Sequence, residues 1–323
     1  MRWSVSFLLL LLSACGGELA ETDAGTDGGV DAGGPDWTPA SCLADPKCPL
    51  PMVSAHRGLC GSEPENTIAG VLECEALGLP MVEIDTRETA DGHIVIMHDE
   101  DVVRTTDGET RFPGRVDVGV LSLAEFSQLV IADDRCLPDP DSQPARCHPP
   151  TLEQLLLATS WITIMVDFKD GDAGRLAELV RDLGVSERVL FFDSSLDALH
   201  AYRAVLPDGV VMGRASSPED FQGIIEGHHD VLDFRWIHGD PIPIAEVVVV
   251  LEAHDIRLYL DTFTSVDVWL AAAASTGDEA QKQQYFDQAW QTLDDILAEG
   301  ALGLGAEFGR LYSSYLYPDG FGW

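Results

Sequence analysis

Positive charge is what this sequence has least of: 19 Lys+Arg stand against 55 Asp+Glu in 323 residues, a formal net charge of −36. Such a field repels a phosphodiester backbone and an anionic bilayer alike, which excludes general nucleic-acid binding and adhesion to a membrane by charge. A phosphorylated ligand then needs local help, most simply a divalent cation. Long hydrophobic runs are missing too. The most apolar internal segment, residues 244–251, is short and contains Glu246, so nothing past the N-terminus approaches the roughly 20 residues of a spanning helix. There is no C-x-x-C pair, and the scattered cysteines make a poor metal site. Hydrophobic residues nevertheless reach 46 %, enough for a large core, which excludes a mainly disordered chain.

What is present begins with a leader. Arg2 precedes a short apolar run over residues 5–12, which reads as a secretory signal rather than a membrane span. The run ends in Leu12-Ser13-Ala14-Cys15, which resembles a bacterial lipobox. That predicts cleavage before Cys15, a lipid on its thiol, and an exported protein anchored on the periplasmic or cell-surface side. An ordinary signal peptide is the alternative. Residues 16–41 hold seven Gly and six acidic residues and no basic one, a composition that cannot bury enough apolar area to order itself. The expected organisation is therefore a signal over 1–14, a lipidated cysteine and flexible acidic tether over 15–49, and one folded unit over 50–323. With Cys15 set aside, Cys42, Cys48, Cys60, Cys74, Cys136 and Cys147 remain, an even number with 15 possible pairings; proximity favours 42–48, 60–74 and 136–147.

From residue 51 short β-rich runs alternate with helical patterns, which points to a parallel sheet. Candidate strands fall at 52–55, 81–85, 161–168, 188–192, 210–212, 231–234, 257–260 and 302–306, with helices expected at 66–77, 174–183, 195–205 and 244–254. Eight such units predict an α/β fold of the (β/α)8 TIM-barrel type, with functional groups at the C-terminal strand ends. A doubly wound open sheet is the fold alternative. Residues 94–97 follow the second strand too closely for a crossover helix. The Asp91-Gly92 dipeptide between them predicts a hairpin, with Ala90 opposite His93, Arg87 opposite Ile96 and Asp85 opposite His98. Residues 99–150 then form an insertion at the barrel mouth, with a helical stretch at 123–130.

The strand ends carry polar groups where a core would carry none. His56-Arg57-Gly58 follows the first strand, Glu83-x-Asp85 ends the second, His98-Asp99 ends the hairpin, and Asp167-x-Lys169 ends the third. Residues i and i+2 of a strand share a face, so Glu83 converges with Asp85 and Asp167 with Lys169. Three carboxylates suit Ca²⁺ or Mg²⁺. Arg57 and Lys169 suit an anionic oxygen, and two histidines suit a proton donor and acceptor. Together they describe metal-assisted phosphodiester cleavage.

The stretches Ala55-His56-Arg57-Gly58, Pro64-Glu65-Asn66-Thr67, Glu83-Ile84-Asp85, Asp91-Gly92, His98-Asp99 and Arg104-Thr105-Thr106 occur in order, followed by Pro150-Thr151-Leu152-Glu153-Gln154-Leu155. They closely resemble the glycerophosphodiester phosphodiesterase family, densely over residues 52–169 and diffusely beyond. The resemblance implies a (β/α)8 barrel with an insertion after the second strand. It implies Glu83, Asp85 and Asp167 as ligands of Ca²⁺ or Mg²⁺, His56 and His98 as the acid/base pair, and Arg57 and Lys169 as phosphate-binding residues. The implied reaction splits a glycerophosphodiester into glycerol 3-phosphate and an alcohol; phospholipase D-like cleavage of lysophospholipids or sphingolipids is the near variant. A barrel that only binds is the other class, and it would be expected to have lost some of these seven groups.

Three positions depart from the family pattern. Asp167 stands where Glu is common, Leu260-Asp261-Thr262-Phe263 replaces a Trp-Thr-Val-Asn-like segment, and Ala306-Glu307-Phe308 replaces a Thr-Asp-Pro ending. Asp261 and Glu307 read as mouth-lining residues, Glu65 and Asn66 as caps of the first helix, and Trp236 as a candidate for stacking on substrate.

Overall fold

Short, largely buried strands separated for the most part by helices give a closed parallel barrel. The computed structural model describes residues 38–45, 48–136, 139–234, 244–263, 265–301 and 303–317. The expected signal, Cys15, the tether as far as residue 37 and Trp236 lie outside these. In chain order the elements are α1 (Pro39–Ala44), β1 (Met52–Ala55), α2 (Ile68–Ala76), β2 (Met81–Glu88), β3 (Ile94–Ile96), α3 (Leu152–Ala158), β4 (Thr163–Phe168), α4 (Ala173–Leu183), β5 (Val189–Asp193) and α5 (Leu196–Val205). There follow β6 (Val210–Ala215), α6 (Pro218–Glu226), β7 (Val231–Phe234), α7 (Ile244–Glu252), β8 (Arg257–Asp261), α8 (Val266–Ser275), α9 (Glu279–Ala298), β9 (Gly303–Ala306) and α10 (Gly309–Leu316). Among the described residues no helix is long and apolar enough to cross a membrane.

Eight parallel strands run in the order β1-β2-β4-β5-β6-β7-β8-β9, and β9 returns to pair with β1 through Met52↔Gly303 to Ala55↔Ala306. The open-sheet alternative is thereby excluded, and the eight expected strands agree with those observed to within a few residues at each end. Strand β1 is buried along its whole length, as are the first six residues of β2, because helices cover the outside while side chains fill the inside. Several helices start where a hydroxyl or carboxylate can take an orphan N–H: Thr67 accepts from Gly70, Thr151 and Gln154 form a capping box, and Asp172 and Ser195 cap α4 and α5.

The bottom of the barrel interior is filled by Met52, Met81, Met165 and Met212 together with Phe192 and Tyr259. Residues Cys42, Leu43 and Cys48 close this cluster from below. The stretch expected to be tether as far as residue 49 is thus partly folded. From Thr38, which caps α1, the chain packs on the barrel with Ala40, Cys42 and Leu43 fully buried. The buried Arg257 guanidinium donates to the Cys42 carbonyl at 2.8 Å and to the carbonyls of Asp45 and Cys48. A plug of three apolar residues held by one arginine overrides the tether-like composition just before it. All three expected disulfides, Cys42–Cys48, Cys60–Cys74 and Cys136–Cys147, are formed.

The hairpin register differs by one residue from the expected one. Thr86 pairs with Ile96, Arg87 with Val95 and Glu88 with Ile94. The loop has three residues, Ala90-Asp91-Gly92, closed by Thr89 N–H to the His93 carbonyl at 2.9 Å, and Gly92 takes the left-handed conformation at φ 84°. A three-residue loop ending in a left-handed glycine is the next commonest hairpin geometry after the two-residue turn, and it moves every partner by one. Met97, rather than His98, therefore hydrogen-bonds to the Asp85 carbonyl, at 3.0 Å. The insertion packs its own small core of Val95, Met97, Val102, Val118, Leu121, Phe126 and Leu129 over β3. It is pinned to the loop before α2 by Glu63, which pairs with Arg146 and, less closely, with Arg135.

Candidate active site

The acidic groups converge as the strand periodicity requires. One oxygen from each of Glu83, Asp85 and Asp167 lies within 4.8 Å of the others, and no other such metal-capable group occurs among the described residues. Glu83 and Asp85 are buried, at 5 % and 0 % exposure. Register explains the meeting: β2 and β4 pair with Glu83 beside Met165 and Asp85 beside Asp167. Burial, compounded by repulsion from Asp85 and Asp167, pushes the Glu83 carboxyl well above its ordinary range. Burial presses Asp85 the same way, but the Lys169 ammonium and the Asn66 amide outweigh it and hold that carboxyl low.

Lys169 sits inside the cluster. Its Nζ is 2.6 Å from Asp167 Oδ2 and 2.9 Å from Asp85 Oδ1. Desolvation works against its charge, but Asp167 and Asp85 prevail and raise its pKa. Three acidic side chains in one small space outnumber the Lys169 ammonium and the Arg57 guanidinium that face them. That excess is what a divalent cation with oxygen ligands would relieve. The residues present therefore fit Ca²⁺ or Mg²⁺.

Asn66 and Glu65 do something other than the helix capping expected of them. Thr67 is the cap, whereas Asn66, at φ 56°, is turned inward. Its Nδ2 donates to Asp85 Oδ2 at 2.8 Å and its Oδ1 accepts the Asp85 N–H at 3.1 Å, so one amide clamps both the backbone and the side chain of a candidate ligand. A left-handed asparagine is tolerated where its own side chain finds partners, and here it has two. Glu65 bridges Arg57, at 3.1 Å, and Arg104, at 2.7 Å.

Arg57 also has a left-handed backbone, at φ 53°, directly before Gly58 at φ 68°. This tight turn aims the Arg57 N–H at Glu83 Oε2, 2.7 Å away, and its guanidinium Nε lies 3.6 Å from Asp85 Oδ2. Strain of this kind persists where the surroundings over-determine it. A side chain at position 58 would additionally crowd Val71, with a Cβ only 3.2 Å from its methyl group.

Each of the two histidines has a carboxylate oxygen beside its Nδ1. His98 Nδ1 is 2.6 Å from Asp99 Oδ1, and the Arg104 guanidinium, through its hydrogen bond, holds the Asp99 carboxyl down at about 2. His56 Nδ1 is 2.7 Å from Glu307 Oε1, and the His56 ring packs 4.7 Å from Phe263. In both, Nε2 is the ring nitrogen away from that carboxylate. His56, Glu83, Asp167, Arg214, Asp261 and Phe263 line one cavity of about 40 Å³, room for an ion with water but for no organic group beneath the rim.

Residues 56–205 match the model of the glycerophosphoryl diester phosphodiesterase family. That segment is a domain of this family. A glycerophosphodiester phosphodiesterase of Caldanaerobacter subterraneus subsp. tengcongensis is 50 % identical over 58 residues, which is 18 % of this chain and 24 % of the relative. Human glycerophosphodiester phosphodiesterase 1 is 47 % identical over 57 residues, 18 % of this chain and 17 % of the relative. These aligned stretches thus span at most about a quarter of each curated relative. Similarity of fold extends further. A glycerophosphoryl diester phosphodiesterase from Parabacteroides distasonis superposes with a TM-score of 0.63 at 18 % identity, covering 87 % of this chain and 90 % of the other. A phosphodiesterase from Oleispira antarctica, solved in complex with the product sn-glycerol-3-phosphate, gives 0.57 at 20 % identity, covering 82 % and 96 %.

Every described residue expected at the site is at the mouth of the barrel. Two others there make contacts that the sequence did not suggest. Arg214, near the end of β6, packs its guanidinium 4.5 Å over the Phe192 ring and donates to Asp233 Oδ2 at 2.6 Å. A lone arginine inside an otherwise apolar strand run was the available signal. Glu307 was read as lining the mouth, but it contacts His56 directly. A roomier groove between α8 and α9, lined by Val268, Trp269, Gln284 and Gln288, carries a single carboxylate, Asp287, and none of this chemistry.

Proposed function

We propose that the protein is a metal-dependent phosphodiesterase that adds water across a glycerophosphodiester, releasing glycerol 3-phosphate and an alcohol. The observation that carries the reading is the meeting of Glu83, Asp85 and Asp167 with two histidines, each beside a carboxylate, at one barrel mouth. Glu83, Asp85 and Asp167 would hold the cation, Ca²⁺ or Mg²⁺, which when bound neutralises phosphate charge and polarises the phosphorus–oxygen bonds. Arg57 and Lys169 donate to the non-bridging oxygens once phosphate competes with the carboxylates that now engage them. His56 and His98 move the protons: one takes a proton from the attacking oxygen while the other gives one to the departing alkoxide. A second pass with roles exchanged completes the reaction if the substrate's own neighbouring hydroxyl attacks first.

We further infer that the protein is exported and anchored through a lipid on Cys15, and that its partners are this small substrate and the membrane that holds the anchor. Three disulfides support an oxidising compartment. The test of the reaction is phosphorus NMR of glycerophosphocholine and of lysophosphatidylcholine incubated with the protein and Ca²⁺ or Mg²⁺. The expected result is conversion of glycerophosphocholine to glycerol 3-phosphate, and a transient cyclic phosphate would identify the substrate hydroxyl as first nucleophile. Turnover of the lysolipid alone would replace this reading by the phospholipase D-like one. Turnover of neither would leave a binding barrel.

A further inference from the structure

The end of β9 is built with more care than a mouth-lining residue needs. The Glu307 N–H donates to Asp267 Oδ2 at 2.9 Å, and the Tyr312 hydroxyl donates to Asp267 Oδ1 at 3.0 Å. The Thr262 hydroxyl donates to the carbonyl of Gly305, two residues before Glu307, at 2.7 Å. Thr262, Asp267 and Tyr312 are all buried, at 0 %, 3 % and 0 % exposure. Burial pushes the Asp267 carboxyl up to about 6. A buried carboxylate is costly, and this one is spent on fixing the backbone at residue 307.

What that backbone carries is a side chain 2.7 Å from His56 Nδ1. The His56 imidazole beside it is also the leading reason the Glu307 carboxyl lies below its ordinary range. Phe263 covers one face of the same imidazole at 4.7 Å. His56 is thus held at an edge and on a face, by residues from β9 and from the loop after β8.

We infer that Glu307 is a positioning residue, which keeps the proton of neutral His56 on Nδ1 and steadies the imidazolium formed when Nε2 takes a second proton. This rests on the reading of His56 as one of the proton-transfer pair. A free neutral imidazole favours the other tautomer, with its proton on Nε2, and that form presents no lone pair to a reacting hydroxyl. A carboxylate at Nδ1 reverses the preference. Asp99 does the same for His98 from the adjacent position in the chain, whereas Glu307 reaches His56 only through closure of the barrel.

Two measurements test it. In nitrogen-15-labelled, metal-free protein at a pH where the imidazole is neutral, two-bond proton–nitrogen correlations should show His56 protonated on Nδ1 in the wild type. They should show it largely on Nε2 in Glu307→Ala. With the cation restored, Glu307→Ala should lower kcat on glycerophosphocholine by about 10²-fold with KM within about threefold, and Glu307→Asp should recover part of the loss. Wild-type His56 protonated on Nε2, or unaltered in Glu307→Ala, would overturn the inference, and that readout stands even if no phosphodiester is turned over. A kcat within about threefold of wild type in Glu307→Ala would overturn it as well. Melting temperatures of both variants close to that of the wild type would exclude a folding defect as the cause.

Discussion

Replacing His98 with alanine should lower kcat on glycerophosphocholine by about 10³-fold, the usual scale for removing a positioned general acid or base. KM should change little, because in the proposed mechanism the phosphate contacts fall to Arg57 and Lys169 and not to the imidazole. Stability should hardly move. The His98 side chain is 34 % exposed, and its hydrogen bond is to Asp99, which retains Arg104 as a partner at 2.5 Å. Steady-state kinetics with a melting curve check all three statements. The double variant with His56→Ala should fall only slightly further, since groups that act as one unit do not contribute additively. Unchanged kcat in His98→Ala would remove the histidine pair from the reaction.

The second large effect runs in two directions at once. Glu83→Gln should cut activity by about 10³-fold or more, because it removes an anionic ligand from the cation site. The same change should stabilise the protein when metal is stripped away. Gln keeps an oxygen to accept the Arg57 N–H, which lies 2.7 Å from Glu83 Oε2, and removes a buried charge beside Asp85 and Asp167. The gain should be about 1 kcal/mol, a shift of a few degrees in melting temperature. It should also depend on pH with a definite sign. The pKa of Glu83 is raised by folding, so its penalty is absent below the ordinary carboxylate range and grows as pH rises through the folded value. Wild type and variant should therefore melt together near pH 4 in EDTA and part as pH increases. With saturating cation the order should invert, since binding stabilises only the chain that can hold the ion well. Melting curves across pH, with and without EDTA, decide this; a variant less stable than wild type in EDTA at neutral pH would contradict the electrostatic account of the cluster.

Much of this was legible before any coordinates. Parallel barrel strands are buried on both faces, so they stand out as short continuous apolar runs, and the eight expected segments coincide with the eight barrel strands. Polar residues at the ends of such runs are conspicuous for the same reason, which is why His56, Glu83, Asp85, Asp167 and Lys169 could be named from their positions. The hairpin register was harder. Asp91-Gly92 announces a turn, but a two-residue and a three-residue loop differ by nothing more than the hydrogen bond at Thr89, and the difference shifts every cross-strand partner.

Asn66, expected as a cap, and Glu307, expected to line the mouth, act through tertiary contacts that no local pattern encodes. Asn66 stands at a helix start, where an amide ordinarily caps, and only the return of β2 gives it Asp85 to hold instead. Glu307 meets His56 because β9 closes against β1, an adjacency set by the topology. The plug at Cys42 and Leu43 hides beside an acidic, glycine-rich stretch, and its anchor, Arg257, lies more than 200 residues away.

The central claim is that Glu83, Asp85 and Asp167 hold a divalent cation on which hydrolysis depends. The direct measurement is calorimetric titration of Ca²⁺ or Mg²⁺ into chelator-treated protein, with glycerophosphocholine hydrolysis followed at each point. The account predicts one cation bound per chain, activity absent at the start and rising in step with occupancy, and no such binding in Glu83→Gln. Full hydrolysis by the stripped protein, with no cation bound, would contradict it.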